Sequence, residues 1–102
     1  MRKQESEKRL ESTLRMEVEH RGGLAVKLTS QLHRGLPDRL ILMPGGRTYF
    51  AEMKSTGEST IPLQRVMLDK LDRLGFRTFV IDSTPDLVEC LNTIDEEGRN
   101  DL

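Results

Sequence analysis

The stretch Pro37-Asp-Arg-Leu-Ile-Leu-Met43-Pro-Gly-Gly-Arg47-Thr-Tyr-Phe-Ala-Glu52-Met-Lys54 decides the fold. Arg39–Met43 and Arg47–Lys54 are strand-like runs, and Pro44-Gly45-Gly46 between them is turn chemistry. Together they read as two antiparallel strands joined by a tight turn. Five residues precede the turn and five follow it (39–43 and 47–51), so Asp38 and Glu52 are expected to finish side by side. A strand alternates faces at every residue, which puts Glu52 and Lys54 on one face with Thr48 and Phe50. Pro37 fixes its own backbone and lacks an N–H, so Asp38 belongs at a sheet margin.

Outward from this hairpin the order is helix, strand, strand, strand, helix, strand, helix. Residues 2–21 carry Leu10, Leu14 and Val18 at four-residue spacing, with Gly22-Gly23 as the stop. Leu24–Leu28 is a strand, and Thr29 to Pro37 has loop composition. Pro62 opens a helix running to Leu74, with Leu63, Met67, Leu71 and Leu74 on its apolar side and Gly75 as its stop. Phe76–Ile81 is the fourth strand, and Ser83 or Thr84 caps a last helix over Pro85–Ile94. A crossover helix between the third and fourth strands makes that pair parallel, with a right-handed connection. The expectation is an α/β fold: one domain over 1–102, a core over 7–94, and a polar tail at 95–102 that frays.

Composition narrows the chemistry. At 102 residues, 35% hydrophobic and 32% charged, the core is small and the surface highly charged. No apolar run approaches the ~18 residues of a membrane span. The charged start, Met1–Arg9, has no secretory-signal character, so a cytoplasmic location is expected. One cysteine, Cys90, excludes an internal disulfide, and with only His20 and His33 beside it a structural zinc site is excluded too. Cys90 reads as core, and His20 as a helix-terminal cation. Any metal here must be held by oxygen atoms.

Glu52 and Lys54 could be a solvated ion pair on an edge strand. The apolar neighbours of Glu52 argue for burial instead, and a buried charge needs a partner or a metal. Adjacent carboxylates repel unless a cation or a proton lies between them. Mg²⁺ is the natural cation, because it takes oxygen ligands and is commonly held by one or two carboxylates. Net charge is −1, so nucleic acid would have to be met by local positive charge. Lys27, His33, Arg34 and Arg39 surround the approach to Asp38, and Arg47 and Arg65 come from neighbouring elements. Together they form an expected phosphate-binding rim. Aromatic residues for stacking on bases are scarce: Tyr49, Phe50, Phe76 and Phe79 alternate within strands and read as core.

Pro37-Asp38 followed by Glu52-Met53-Lys54 resembles the signature of the PD-(D/E)xK nuclease superfamily, whose restriction-endonuclease-like core has the same element order. Gly35–Arg39, Pro44–Arg47, Glu52–Lys54, Pro62–Arg65, Leu74–Arg77 and Val80–Asp82, taken in order, resemble the stand-alone virus-type replication-repair nuclease (VRR-NUC) domain over about residues 11–90. The resemblance implies Asp38 and Glu52 as metal ligands, the Met53 carbonyl as a third contact, Lys54 as the catalytic lysine, and Gln64 bordering the site. It also implies a glutamate eleven residues before the Gly-Gly pair, here Glu11. Helix geometry by itself leaves Glu7, Glu11 and Glu17 open. Ile61 stands where the family often has a polar capping residue. The implied activity is Mg²⁺-dependent DNA cleavage, with Mn²⁺ substituting, by a homodimer acting on four-way junctions in a bacterial cell or phage-infected host. A non-catalytic DNA-binding module and an RNA-directed nuclease are the alternatives.

Overall fold

The computed structural model describes residues 4–29 and 33–100. Its elements are α1 (Glu7–His20), β1 (Leu24–Lys27), β2 (Arg39–Leu42), β3 (Thr48–Met53), α2 (Pro62–Arg73), β4 (Arg77–Ile81) and α3 (Thr84–Asn100). This is the expected order. One mixed sheet runs β1-β2-β3-β4, antiparallel across the first two pairs and parallel between β3 and β4.

The hairpin turn is the short Pro44–Gly46 segment. Gly45 and Gly46 have φ of 82° and 78°, a region open to glycine and costly for a side chain. The turn sets the register that pairs Arg39 with Ala51 and Ile41 with Tyr49. One sheet face is core. Ile41, Tyr49, Ala51, Met53 and Ile81 pack there against Leu10, Leu14 and Val18 of α1 and Leu87, Cys90, Leu91 and Ile94 of α3. A buried side chain of this kind contributes about 1.5–3 kcal/mol by leaving water. Burial also pushes the Cys90 thiol up to about 12, so it stays protonated and inert.

Four expectations need correction. First, α1 starts at Glu7, not residue 2, because the Ser6 Oγ accepts the Arg9 N–H at 3.2 Å and caps it there. Residues 2 and 3 lie outside the described part, as do residues 30–32 of the expected loop.

Second, α2 buries Leu68 and Leu71 and leaves Leu63 and Leu74 exposed. The Asp72 Oδ1 accepts the Thr78 hydroxyl at 2.8 Å, which fixes the helix rotation against β4. Third, the expected fraying tail is helical to Asn100. Polar ties replace the missing apolar ones: Arg21 Nε to Asp95 at 2.8 Å, the Tyr49 hydroxyl to Glu97 at 2.7 Å, and Arg47 Nη1 to the Ile94 carbonyl at 2.8 Å. Fourth, of the four aromatic residues expected in the core, Phe76 is exposed and meets Phe50 edge-on, with ring centroids 5.3 Å apart.

Candidate active site

Asp38 and Glu52 meet at the open end of the hairpin. The β2–β3 register, carried one residue beyond Arg39 and Ala51, sets them opposite each other. Hydrogen-bonded pairs alternate along an antiparallel ladder, and Met43 donates to the Arg47 carbonyl at 2.8 Å, so the bonded set reaches Arg39 and then Pro37 with Met53. Proline lets that pair exchange only one bond at most. The Asp38 Oδ2 takes the Met53 N–H instead, at 2.8 Å. The Asp38 carbonyl also accepts the Leu28 N–H at 2.8 Å, so backbone and side chain are both anchored.

Glu52 is 2% exposed, and its Oε2 is buried with no hydrogen-bond partner among the described residues. Its carboxyl is pushed up to about 8, first by burial, then by its hydrogen bond to Asp38 and by the Asp38 charge, with Lys54 pulling the other way. Burial and the neighbouring Asp38 thus both disfavour a bare charge on Glu52. Ionised carboxylates are acceptors only, and a hard divalent cation supplies what two of them facing each other lack. The donor set fits Mg²⁺ on that ground. Among the described residues, no group of three His, Cys, Asp or Glu side chains gathers into a metal site. Two carboxylates suffice for an ion that keeps several waters.

The other expected site residues divide. Lys54 follows β3, with its N–H on the Ile81 carbonyl at 2.9 Å, and its charge lowers the carboxyls of Glu52 and Glu7. Glu7 is raised by burial and then by the Asp38 charge, which puts its carboxyl in the field of the pair. Glu11 is turned to Arg39: its Oε1 accepts from the Arg39 Nε at 3.0 Å and from Nη2. Glu17 is tied to Arg21 at 2.9 Å, near the other end of α1. Gln64 caps its own helix, its Oε1 accepting the Ile61 N–H at 3.0 Å. That bond supplies half of a capping box and compensates for the apolar Ile61.

The basic residues divide as well. Lys27, His33, Arg34 and Arg65 are exposed. Arg39 also donates to the Ala25 carbonyl at 2.8 Å, so its guanidinium is largely committed inside the protein. Arg47 lies at the turn end of β3, about 16 Å of strand from Glu52. There it donates to the Tyr49 hydroxyl at 3.0 Å and to α3, which makes it a structural residue in place of a rim contact. A groove of about 430 Å³ is lined by Glu7, Glu11, Lys27, Arg39 and their α1 neighbours. A larger one, about 630 Å³, lies around Arg47, Arg77 and Glu97, at the end of the sheet away from the pair.

The sequence reading missed a clasp behind the site. Thr56, buried two residues beyond Lys54, accepts the Glu5 N–H at 2.9 Å and donates to the Asp82 carbonyl at 2.8 Å. Its own N–H reaches the Glu5 carbonyl at 3.1 Å, and the Glu5 carboxylate takes the Thr84 N–H at 2.7 Å. The start of the described chain, the loop after β3 and the start of α3 are thereby joined. Nothing in a lone threonine between loop residues signals this.

An α-β-β-β-α-β-α chain with an acid pair across β2 and β3 is a nuclease-type α/β domain in architecture. The structure superposes on a solved "VRR_NUC domain" with a TM-score of 0.78 and 24% identity, over 86% of this chain and 97% of that one. Over 74 residues the chain is 40% identical to "Putative nuclease p44" of Acyrthosiphon pisum secondary endosymbiont phage 1, spanning 72% of this chain and 80% of the phage protein. No family model matches the chain. At that identity and coverage the chain belongs to the phage protein's family, and its fold is the VRR-NUC domain.

Proposed function

We propose that this chain is a Mg²⁺-dependent DNA endonuclease, with Mn²⁺ able to substitute, that cuts branched DNA such as four-way junctions. The observation that carries the reading is the buried Glu52 carboxyl, with one oxygen unsatisfied, hydrogen-bonded to Asp38. A structural carboxyl so placed is costly, whereas a ligand has to be placed so. A protein that only bound DNA would gain nothing from acids that repel phosphate.

Asp38 and Glu52 hold the cation, with the Met53 carbonyl as a third oxygen and Glu7 or Glu11 as the acid from α1. Bound there, Mg²⁺ supplies a Lewis acid for the phosphoryl oxygen and a water of lowered pKa. Lys54, on the face of Glu52, donates to the oxygen on which negative charge grows as the phosphorus becomes five-coordinate. Gln64 borders the site from the first turn of α2. Lys27, His33, Arg34 and Arg65 hold phosphates and not bases, so recognition follows DNA shape. One domain carries one acid pair, and two symmetric cuts need two, so the working unit is a homodimer.

The test is incubation of labelled junction, flap, duplex and single strand with Mg²⁺, Mn²⁺ or chelator, beside the Asp38→Ala variant. Junction cleavage that needs the metal and disappears in the variant supports the reading. Full cleavage in chelator or by Asp38→Ala contradicts it.

A further inference from the structure

The outer sheet face, opposite the core, is only half covered. Leu24 and Val26 of β1 pair with Leu42 and Leu40 of β2, so all four side chains share this face. Helices α1 and α3 pack on the other face. α2 lies over β4, with Asp72 bonded to Thr78 on that flank. Its opposite flank carries Leu63 and Val66. Leu63 packs on the loop leading into β2, where a Cβ added to Gly35 would meet the Leu63 carbonyl oxygen at 2.7 Å. The bare strands and the apolar flank of α2 are therefore neighbours. Leu24 is 59% exposed, Val66 65% and Leu63 45%. In a chain so poor in apolar residues, this concentration on one surface is the mark of an interface.

We propose that a second copy of this chain covers this face, the α2 flank of each copy seating on the bare β1–β2 floor of the other. The argument is shape. A ridge and a floor lie side by side on one surface, so a twofold rotation sets ridge on floor twice, as an isologous contact requires. The length of α2 is about 18 Å, and with the two strands beside it the face is about 20 Å wide. That footprint is the size of the apolar centre of a standard interface, which buries about 800 Å² per partner once its polar rim is counted. The β1 and β2 positions on this face, Leu24, Val26, Leu40 and Leu42, carry no charge to attract DNA phosphates. The proposal rests on the homodimer reading above and assigns its surface.

Light scattering of the full chain at tens of micromolar tests it, with Val26→Glu, Val66→Glu and, as control, Met16→Glu on the exposed side of α1. Circular dichroism and melting accompany each variant. Wild type and Met16→Glu are expected at twice the chain mass, and both valine variants, still folded, at the single mass. Should either valine variant unfold, the double variant Leu42→Cys and Val66→Cys replaces it. Oxidation then links two chains covalently, and Met16→Cys does not link. A wild-type monomer overturns the dimer reading itself. A dimer that survives both glutamates, or no covalent link, overturns this surface and leaves that reading standing. Metal-dependent nicking of duplex by the same samples reports separately on the nuclease reading.

Discussion

At the scale of the residue, Glu52 is the unusual group. Its Oε2 is buried without a partner among the described residues, and burial beside Asp38 pushes its carboxyl up to about 8. Glu52→Gln keeps the shape, removes the acid and provides an N–H donor toward Asp38. In chelator this variant is expected to melt higher than wild type, by about 4–8 °C for each kcal/mol gained. Added Mg²⁺ should raise the wild-type melting temperature and leave that of the variant unmoved. An equal metal shift in both would remove Glu52 from the ligand set. Cleavage by Asp38→Ala or Glu52→Gln is expected to fall by more than the roughly 10–100-fold that groups merely supporting a ligand cost. Lys54→Ala should lower kcat by about 10²–10³-fold and leave metal affinity unchanged. A wild-type kcat would reduce Lys54 to a structural charge.

At the scale of the element, two tethers set how the site is framed. Thr56 links Glu5 and Asp82 within two residues of Lys54. Thr56→Val is expected to lose about 1–3 kcal/mol of stability and to lower kcat between about ten- and a hundredfold, with Thr56→Ser keeping both. Melting and single-turnover rates check this, and a stable, fully active Thr56→Val would contradict it.

The second tether is the end of α3. The hydrogen bond from Arg21 holds Asp95 below the ordinary carboxylate range. Burial opposes the same shift at Glu97, but Tyr49 and Arg77 outweigh it. A depressed folded pKa means that the unfolded chain binds protons first as the solution is acidified. These bonds therefore stabilise above the ordinary range and fail below it. From about pH 5 downward, amide exchange over residues 95–100 is expected to accelerate before that over 87–94. Simultaneous acceleration would mean that the acids do not hold this end.

Periodicity and turn chemistry carried most of the element order, because the hairpin, the glycine stops and Pro62 are local signals. The end of α3 was illegible for the opposite reason: it is held by Arg21, Tyr49 and Arg47, all distant in sequence. The rotation of α2 was misjudged because its apolar stripe is wider than the part the sheet covers.

At the scale of the whole molecule, the carboxylate pair was legible from five residues either side of a turn, since register follows from counting. The basic rim was only half legible. Arg39 and Arg47 are spent on Glu11 and on α3, while Lys27, Arg34 and Arg65 are exposed. A charge pattern says nothing about which cations the fold has already paired. The exposed set alone should carry the salt dependence of DNA binding. Lys27→Ala and Arg65→Ala are each expected to reduce the slope of log affinity against log salt by about one, and Arg47→Ala to leave it unchanged. Fluorescence anisotropy at graded salt measures this, and an equal slope change in Arg47→Ala would contradict the division. The fold leaves the β1–β2 half of one sheet face without a helix, beside the elements that frame the acids.

The account turns on whether Asp38 and Glu52 together grip one divalent ion, and calorimetric titration of Mn²⁺ into wild type, Asp38→Ala and Glu52→Gln reads that without any substrate. Wild type should show a saturable binding event that is absent from both variants, each of them folded by circular dichroism. Undiminished Mn²⁺ binding by either variant would contradict the account.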